Sequence, residues 1–432
     1  MPAHFRRNLF LLIGDYVFFV VGLTLINGQT ILPDFVGRLS GSEVLVGLVS
    51  ITFPLGTMLP QLAVAPAVAR SANKRLWVLV PGLPGRSMMF VVAAAILVLG
   101  VQNPAPVLVI VFLGIGVFAL CDGVSAVGWL DLLGSALPNE RRGRMFGIGR
   151  AASSLIVLFL VSDLVRYILD PATGPDYPND YAALFLLAGV CFILSVVAFI
   201  FIREPRRPPA ATEAPVTRRD YLTFLRQALR HDHPYRHYLL TRLTAEIALI
   251  ASPFYIRFAT ESLGIASAEA VSGAIQVSTV AGLVAGLAMG WLSERRGSRL
   301  VILFGALLVI AQPVLALVAG TGPIWLVFVA FGLSGMYMAT MESGLLNWVI
   351  EYADDSRRAI YFSLTSTFNI IGVVSPVVGG VIAERLSYEA LFGVALAISL
   401  VELALALRLV EPRRRRVESE PRIAELNASR IP

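Results

Sequence analysis

The chain has 432 residues, of which 56% are hydrophobic and only 15% charged, and its mean hydropathy is +0.75. A soluble domain is nearer to half apolar and a quarter charged, so the composition argues against a soluble helical protein. The formal net charge is +6. The positions of the basic residues along the chain explain this excess of positive charge.

Apolar windows long enough to cross a hydrocarbon core of roughly 30 Å recur along the whole chain. They predict an all-α membrane protein with 12 transmembrane helices, six on each side of a polar centre. We place the spans near residues 9–33, 44–68, 76–99, 107–133, 145–167, 181–202, 238–259, 270–292, 300–318, 324–350, 359–383 and 390–410.

The polar segments divide the chain into four parts. We predict an N-terminal six-helix bundle over residues 1–202, a cytoplasmic linker over 203–238, a C-terminal six-helix bundle over 239–410 and a charged cytoplasmic tail over 411–432. Within the linker, the basic residues after Thr217 alternate with apolar ones at helical spacing. This pattern predicts a short amphipathic helix that lies on the membrane surface.

The basic residues set the predicted orientation. The termini, the linker and every second loop hold 27 of the 35 basic residues, whereas the opposite loops carry little beyond Arg38 and Arg385. Positive charge marks the cytoplasmic side. We therefore expect a multi-pass protein of the cytoplasmic membrane with both termini in the cytoplasm. The positive net charge follows from this topology, so we expect no nucleic-acid partner.

The loop between the eighth and ninth spans carries the most specific motif. Residues 290–299 read GWLSERRGSR, and they resemble the signature loop of the major facilitator superfamily, written roughly G-x-L-x-[DE]-R-x-G-x-R. A second loop, residues 138–147, resembles another recurrent loop of that superfamily, of the form P-x-x-x-R-G. The residues that carry the two motifs, and that we assign to a gating loop, are Gly290, Glu294, Arg295, Gly297, Arg299, Arg142, Gly143 and Arg144.

The resemblance implies two six-helix repeats with a solute path between them, lined by the first, fourth, seventh and tenth spans. It implies a secondary transporter and not an enzyme, in a poorly characterised bacterial branch. It also implies that Glu294 latches onto the start of the fifth span, near Arg144, while Arg295 and Arg299 hold the loop in shape. The first-half copy, residues 66–75, has Pro66 in place of the glycine and Arg70 in place of the acid, so we expect one latch and not two.

Ionisable side chains at membrane depth are costly and therefore mark candidate sites. All four spans that the resemblance assigns to the path carry an acid, and Trp129 shares a helix face with the acid of the fourth span. Burial of such acids favours proton uptake, as proton coupling requires. The residues that we assign to the substrate or proton pathway are Asp15, Arg86, Asp122, Trp129, Arg150, Arg242, Glu246 and Glu342.

Several of these residues allow two interpretations. Arg242 and Glu246 are four residues apart and can pair, either as a charge relay or as a fixed structural ion pair. Arg257 is expected to return to the same helix face, three turns further on. Arg86 and Arg150 could bind an anionic solute or neutralise neighbouring acids, and charge balance favours the second.

The positions of two acids within their spans predict the surroundings of each side chain. We expect Asp15 to be partly solvated, since it lies close to the predicted membrane interface. Asp131 is expected to pair with a loop arginine such as Arg144.

The preferred function is a secondary active transporter that moves a small solute by alternating access with proton coupling, with efflux favoured slightly over uptake. A non-transporting membrane receptor or assembly factor on the same fold is one alternative, and a lipid flippase is another. The expected partners are a small-molecule solute, protons and membrane lipids, and we expect a monomer. No cofactor and no metal site is expected, because the histidines around Pro234 suit a solvated loop and no phosphate-binding glycine loop occurs.

Overall fold

The computed structural model describes residues 5–71, 73–137, 139–203, 226, 229–230, 232–353 and 358–412, without the side chains of residues 62, 69, 139–140, 342, 358–360 and 363. Helices dominate this part of the chain and it contains no strand. Twelve of its helices are long and apolar enough to cross a membrane. The predicted all-α fold with twelve spans is therefore confirmed.

The first six spanning helices lie in the N-terminal half of the chain. They are α1 (Phe5–Leu25), α2 (Glu43–Arg70), α3 (Lys74–Leu99), α4 (Pro104–Ala136), α5 (139–169) and α6 (Asn179–Phe201). The second six are α7 (His233–Ser262), α8 (Ser267–Arg296), α9 (Ser298–Thr321), α10 (Leu326–Tyr352), α11 (358–385) and α12 (Tyr388–Leu407).

The first predicted span, residues 9–33, is wrong at its C-terminal end. α1 ends at Leu25, and a separate short helix covers Ile31–Ser40. Between them the Asn27 side chain accepts a hydrogen bond from the backbone N–H of Gln29 at 2.7 Å. This side-chain bond offers the backbone a turn in place of another helical bond, which is why the apolar run does not continue as one helix.

Four spanning helices are interrupted. α5 and α10 each contain a π-helical turn, at Val157–Val161 and Met341–Leu346, and α11 breaks between Val373 and Ser375, just before Pro376. α7 changes to a 3₁₀ turn at Leu249–Ala251 and ends in a π-helical turn. Since a 3₁₀ turn shifts the helical register, the α7 residues beyond Ala251 do not continue the face of those before it.

The chain packs as two compact units that differ from the two halves of the sequence. The first unit comprises Met1–Pro215, Ser252–Thr279 and Pro376–Tyr388, and the second comprises the rest. The parts of α7, α8 and α11 beside the α7–α8 and α11–α12 connections thus pack with the first six helices. The division of the sequence at residues 202 and 239 stays a prediction.

Within the first unit, α2 and α11 touch through their backbones. A Cβ atom on Gly47 would overlap the backbone oxygen of Pro376, and one on Gly380 would overlap that of Glu43. Only glycine allows two helix backbones to come this close.

The second unit has an aromatic core beside the start of α7. The rings of Tyr238 and Trp348 stack with centroids 4.3 Å apart. Asp232 precedes α7 and accepts hydrogen bonds from the hydroxyl groups of Tyr352 and Tyr361. The predicted amphipathic helix after Thr217 and the tail beyond residue 412 lie almost wholly outside the described residues.

Candidate solute site

A cavity of about 230 Å³ lies within the first unit. It is bounded by α1, α3, α4 and α5, and most of its wall is aromatic or aliphatic. The lining residues are Asp15, Tyr16, Phe19, Val78, Arg86, Asp122, Ser125, Ala126, Trp129 and Phe146. The structure therefore brings together four of the eight residues that we assigned to the pathway: Asp15, Arg86, Asp122 and Trp129.

Asp15 has its polar requirements met on both oxygens. Trp129 Nε1 donates to Asp15 Oδ2 at 2.7 Å, and the Ser195 hydroxyl donates to Oδ1. Arg86 Nη1 lies 3.9 Å from Asp15 Oδ1 and donates to Ser195 Oγ at 2.8 Å. Asp15 is only 3% exposed, so the expectation of a partly solvated group is wrong: the side chain points away from the interface into this network.

Asp122 is in a different situation, although it lines the same cavity. Among the residues that the structure describes it has no hydrogen-bond or ion-pair partner, and its charge interacts with Arg86 and Asp15 at longer range. Because Arg86 is already matched by Asp15, the cavity holds one carboxyl group more than it holds bases. The surplus negative charge belongs to Asp122.

Aromatic rings line the cavity on several sides. The Phe146 ring meets those of Tyr16 and Trp129 edge-on, with centroids 6.0 Å and 5.8 Å apart. The guanidinium carbon of Arg86 lies 5.1 Å from the centroid of the Phe19 ring. The faces of such rings attract cations.

The remaining pathway residues lie elsewhere. Arg150 is not among the residues that line this cavity, and the side chain of Glu342 lies outside the described residues. Arg242 and Glu246 form the expected ion pair at 3.1 Å, in the second unit. Asn369 Nδ2 donates to Glu246 Oε2 at 3.3 Å.

Sequence reasoning missed Glu402, an acid of α12 that is 2% exposed. It faces Arg242 and Glu246, whose charges act on it. Its signal was available, because any ionisable residue inside an apolar span is a candidate site. The acids assigned to the pathway all lie on the four spans that the family resemblance favours, and α12 is not one of them.

Arg257 does not continue the face of Glu246, so that expectation is wrong. The break in α7 directs the Arg257 side chain toward a cluster of carboxylates in the first unit, beside the connection between α1 and α2. Arg257 Nε lies 3.3 Å from Glu43 Oε1, and Nη1 lies 3.0 Å from Glu261 Oε1 and 4.0 Å from Asp34 Oδ1. Tyr388 donates to Glu43 Oε1 at 2.7 Å.

A second cavity, of about 360 Å³, lies close to this cluster and is lined in part by Arg38, Tyr177 and Asp180. The guanidinium carbon of Arg38 lies 4.2 Å from the centroid of the Tyr177 ring. Burial raises the pKa of Tyr177 to about 12, so the phenol stays neutral at physiological pH.

The signature loop is built around Gly297, which has a φ angle of +88°. Arg299 donates from Nη2 to the backbone oxygen of Leu407 at 2.8 Å, and its backbone N–H donates to Glu411 Oε2 at 3.2 Å. Arg295 lies over the Trp291 ring, 4.7 Å from its centroid. The loop is thereby tied to the end of α12, while Gly290 and Glu294 lie in the last turns of α8.

In the loop between α4 and α5, the arginine that bonds to the backbone is Arg142. Arg142 donates to the backbone oxygens of Gly134 at 2.6 Å and Leu137 at 3.2 Å, which caps the C-terminal end of α4. Gly143 and Arg144 are exposed beside it. Asp131 pairs with Lys74 at 2.8 Å, so the expected pairing with a loop arginine is wrong. Lys74 opens α3, which packs against this end of α4.

Comparison with known proteins agrees with this geometry. Residues 238–431 match the family model described as Major Facilitator Superfamily. The fold superposes on a D-xylose–proton symporter with a TM-score of 0.71, at 12% identity, over 95% of this chain and 99% of that one. The chain thus resembles the major facilitator superfamily in sequence over its C-terminal half. It is a multi-pass membrane protein with the fold of that family's transporters.

A mycobacterial protein and a second transporter structure also resemble this chain. An uncharacterised protein of Mycobacterium tuberculosis (strain H37Rv) is 26% identical over 98% of this chain and 81% of its own length. A bacterial homologue of the iron transporter ferroportin, in an inward-facing state, shares the fold with a TM-score of 0.69 at 12% identity, over 94% of this chain and 98% of that one. At this level of identity the structural comparison establishes the fold alone.

Proposed function

We propose that this protein is a secondary active transporter of small organic cations, which it exchanges for protons. The observation that carries the proposal is the surplus carboxyl group of Asp122 in an aromatic cavity. A cation with an apolar body would satisfy the carboxylate and the ring faces together. A proton would satisfy the same carboxyl group, so the cation and the proton compete for it.

The placement of the other groups supports the same conclusion. Arg86 is held by Asp15 and Ser195 and has no surplus charge to offer an anion. Apolar and aromatic side chains form most of the cavity wall, and electrostatic attraction is stronger in such low-dielectric surroundings than in bulk water. A D-xylose–proton symporter shares this fold, so the fold is compatible with proton coupling.

Binding of benzyltrimethylammonium to the purified protein tests the proposal. This probe should bind, whereas its uncharged carbon analogue neopentylbenzene and the anion phenylmethanesulfonate should bind at least tenfold more weakly. Asp122→Asn should weaken the cation by roughly 10- to 100-fold, because a hydrogen-bonded or paired charge is worth about 1.5–3 kcal/mol. Asp176→Asn, which removes an exposed acid, should leave the affinity unchanged.

Proton exchange gives a second readout. Cation binding should weaken as the pH falls and should release protons into a weakly buffered solution, and both effects should vanish in Asp122→Asn. In proteoliposomes a pH gradient should then drive movement of the cation.

Some results would contradict the proposal. Equal binding of the cation and its neutral analogue would refute the cation site. Binding without flux would favour a receptor, and lipid scrambling without solute movement would favour a flippase.

A further inference from the structure

Glu402 is an acid in the last two turns of the apolar helix α12. Its carboxyl group has no hydrogen-bond or ion-pair partner among the residues that the structure describes. Glu402 lies fourteen residues into α12 and is 2% exposed. Its Oε2 atom is buried without a hydrogen bond, and within the described part of the chain no ion pair includes it. Nothing that we assigned to the cation site uses this residue.

The groups that face Glu402 come from two helices. From α7 they are Arg242 and Glu246, and from α10 it is the phenol of Tyr337, which interacts with all three charged residues. The Tyr337 hydroxyl donates to the backbone oxygen of Ala245 at 3.4 Å. From α11, Asn369 contacts Glu246. Among the side chains that the structure describes, the cluster thus holds two carboxyl groups and one guanidinium.

The single base is already taken. Arg242 pairs with Glu246 at 3.1 Å, and the amide of Asn369 supports the same carboxylate. An ionised carboxyl group that is buried without a partner is strongly disfavoured, and such groups take up a proton instead. In this arrangement Glu402 is therefore the carboxyl group that carries the proton.

We propose that Glu402 is a proton-binding site, and that it and Glu246 compete for Arg242. When Glu402 loses its proton to water, the charge of the three groups changes from zero to minus one. Alternatively Arg242 moves to the Glu402 carboxylate, and Glu246 takes up the released proton with no change in total charge. The proposal names a proton carrier for the exchange proposed above and rests on that function only for its role in transport.

Infrared difference spectroscopy of the protein in lipid nanodiscs tests the site itself. The wild-type protein should show a protonated carboxyl band at neutral pH that disappears as the pH is raised. In difference spectra against the wild type at neutral pH, Glu402→Gln should lack this band. Glu389→Gln, which removes an exposed acid of the same helix, should keep it.

A second variant distinguishes competition from a merely buried acid. Glu246→Gln leaves Glu402 in place but frees Arg242, so Glu402 should ionise and its band should be lost at neutral pH. Retention of the band in Glu246→Gln, or in Glu402→Gln, would overturn the proposal. The Glu246→Gln result decides the question even if Glu402→Gln does not fold.

Transport measurements separate this site from the cation site. Glu402→Gln should bind benzyltrimethylammonium within about twofold of the wild type, yet a pH gradient should no longer drive its movement. Loss of the infrared band in both variants, with no cation movement even in the wild type, would support the proton site and refute the transport proposal. Full pH-driven movement in Glu402→Gln would refute the coupling role of Glu402.

Discussion

The cluster around Arg257 allows a sharp prediction about stability. Arg257 is 3% exposed, and it faces Asp34, which is fully buried, and Glu43, which is 8% exposed. The change Arg257→Gln removes the only guanidinium that the structure places beside Glu43 while leaving both carboxyl groups in place. The substitution should therefore leave Glu43 buried without a cation, whereas Asp34 keeps the hydrogen bond that it accepts from Tyr181.

The size of the effect follows from burial. Breaking a buried ion pair by removing one partner costs about 3–5 kcal/mol. Glu261 adds little, because its side chain is 52% exposed and exposed pairs contribute about 0–1 kcal/mol. We expect Arg257→Gln to lower the free energy of unfolding by about 3–5 kcal/mol in reversible unfolding in mixed micelles.

Two further variants test the reason for the loss. Arg257→Gln combined with Glu43→Gln should recover part of the stability, because the double variant strands one acid fewer, with a coupling of about 0.5–3 kcal/mol. Arg385→Gln removes an exposed arginine at the end of α11 and should change the stability by no more than about 0.5 kcal/mol. If Arg257→Gln were no worse than Arg385→Gln, or if the double variant were the sum of the two singles, the stranded-charge argument would be refuted.

Two predictions concern the signature loop. Gly297→Ala should lower the free energy of unfolding by more than about 1 kcal/mol, because the φ angle of Gly297 is +88° and a Cβ atom would overlap the Glu411 carboxylate. Adding Glu411→Ala should recover the steric part of this loss in the same unfolding assay. Equal stability of the single and the double variant would contradict this explanation. The predicted latch of Glu294 on the start of α5 should contribute about 0.3–1 kcal/mol, so Glu294→Gln should shift the equilibrium between inward-open and outward-open forms by about two- to fivefold, measured by single-molecule fluorescence transfer. An unchanged distribution would rule out the latch.

The sequence predicts the spanning helices well because their signal is local. A run of apolar residues of sufficient length needs no knowledge of its neighbours, and the twelve spans follow from it. The pairing of Arg242 with Glu246 is equally local, since residues four apart share a helix face. The register shift in α7 is different: Pro253 cannot donate a backbone hydrogen bond to Leu249 and so marks a break, but the sequence does not show that the break turns Arg257 toward Glu43.

The candidate site depends on contacts between distant segments. The sequence places Asp15 and Asp122 at membrane depth, but it does not show that Arg86 and Ser195 satisfy the first and leave the second in surplus. Glu402 is an ionisable residue inside an apolar span and therefore meets the same criterion as Asp15 and Asp122. The family resemblance, however, does not assign α12 to the solute path. Asp131 paired with Lys74 because α3 packs beside α4, a neighbour that loop spacing alone does not reveal.

The backbone contact between α2 and α11 affects how much side-chain entropy is lost when the two helices come together. Contacts between long side chains must fix rotamers each time they form, at a cost of up to about 2 kcal/mol for each side chain. At Gly47 and Gly380 no rotamer exists to be fixed. At these two positions the contact therefore forms without any loss of side-chain entropy. The side chain of Glu384, which accepts hydrogen bonds from Ser42 and from the backbone of Val44, is the part of the seam that has to be ordered.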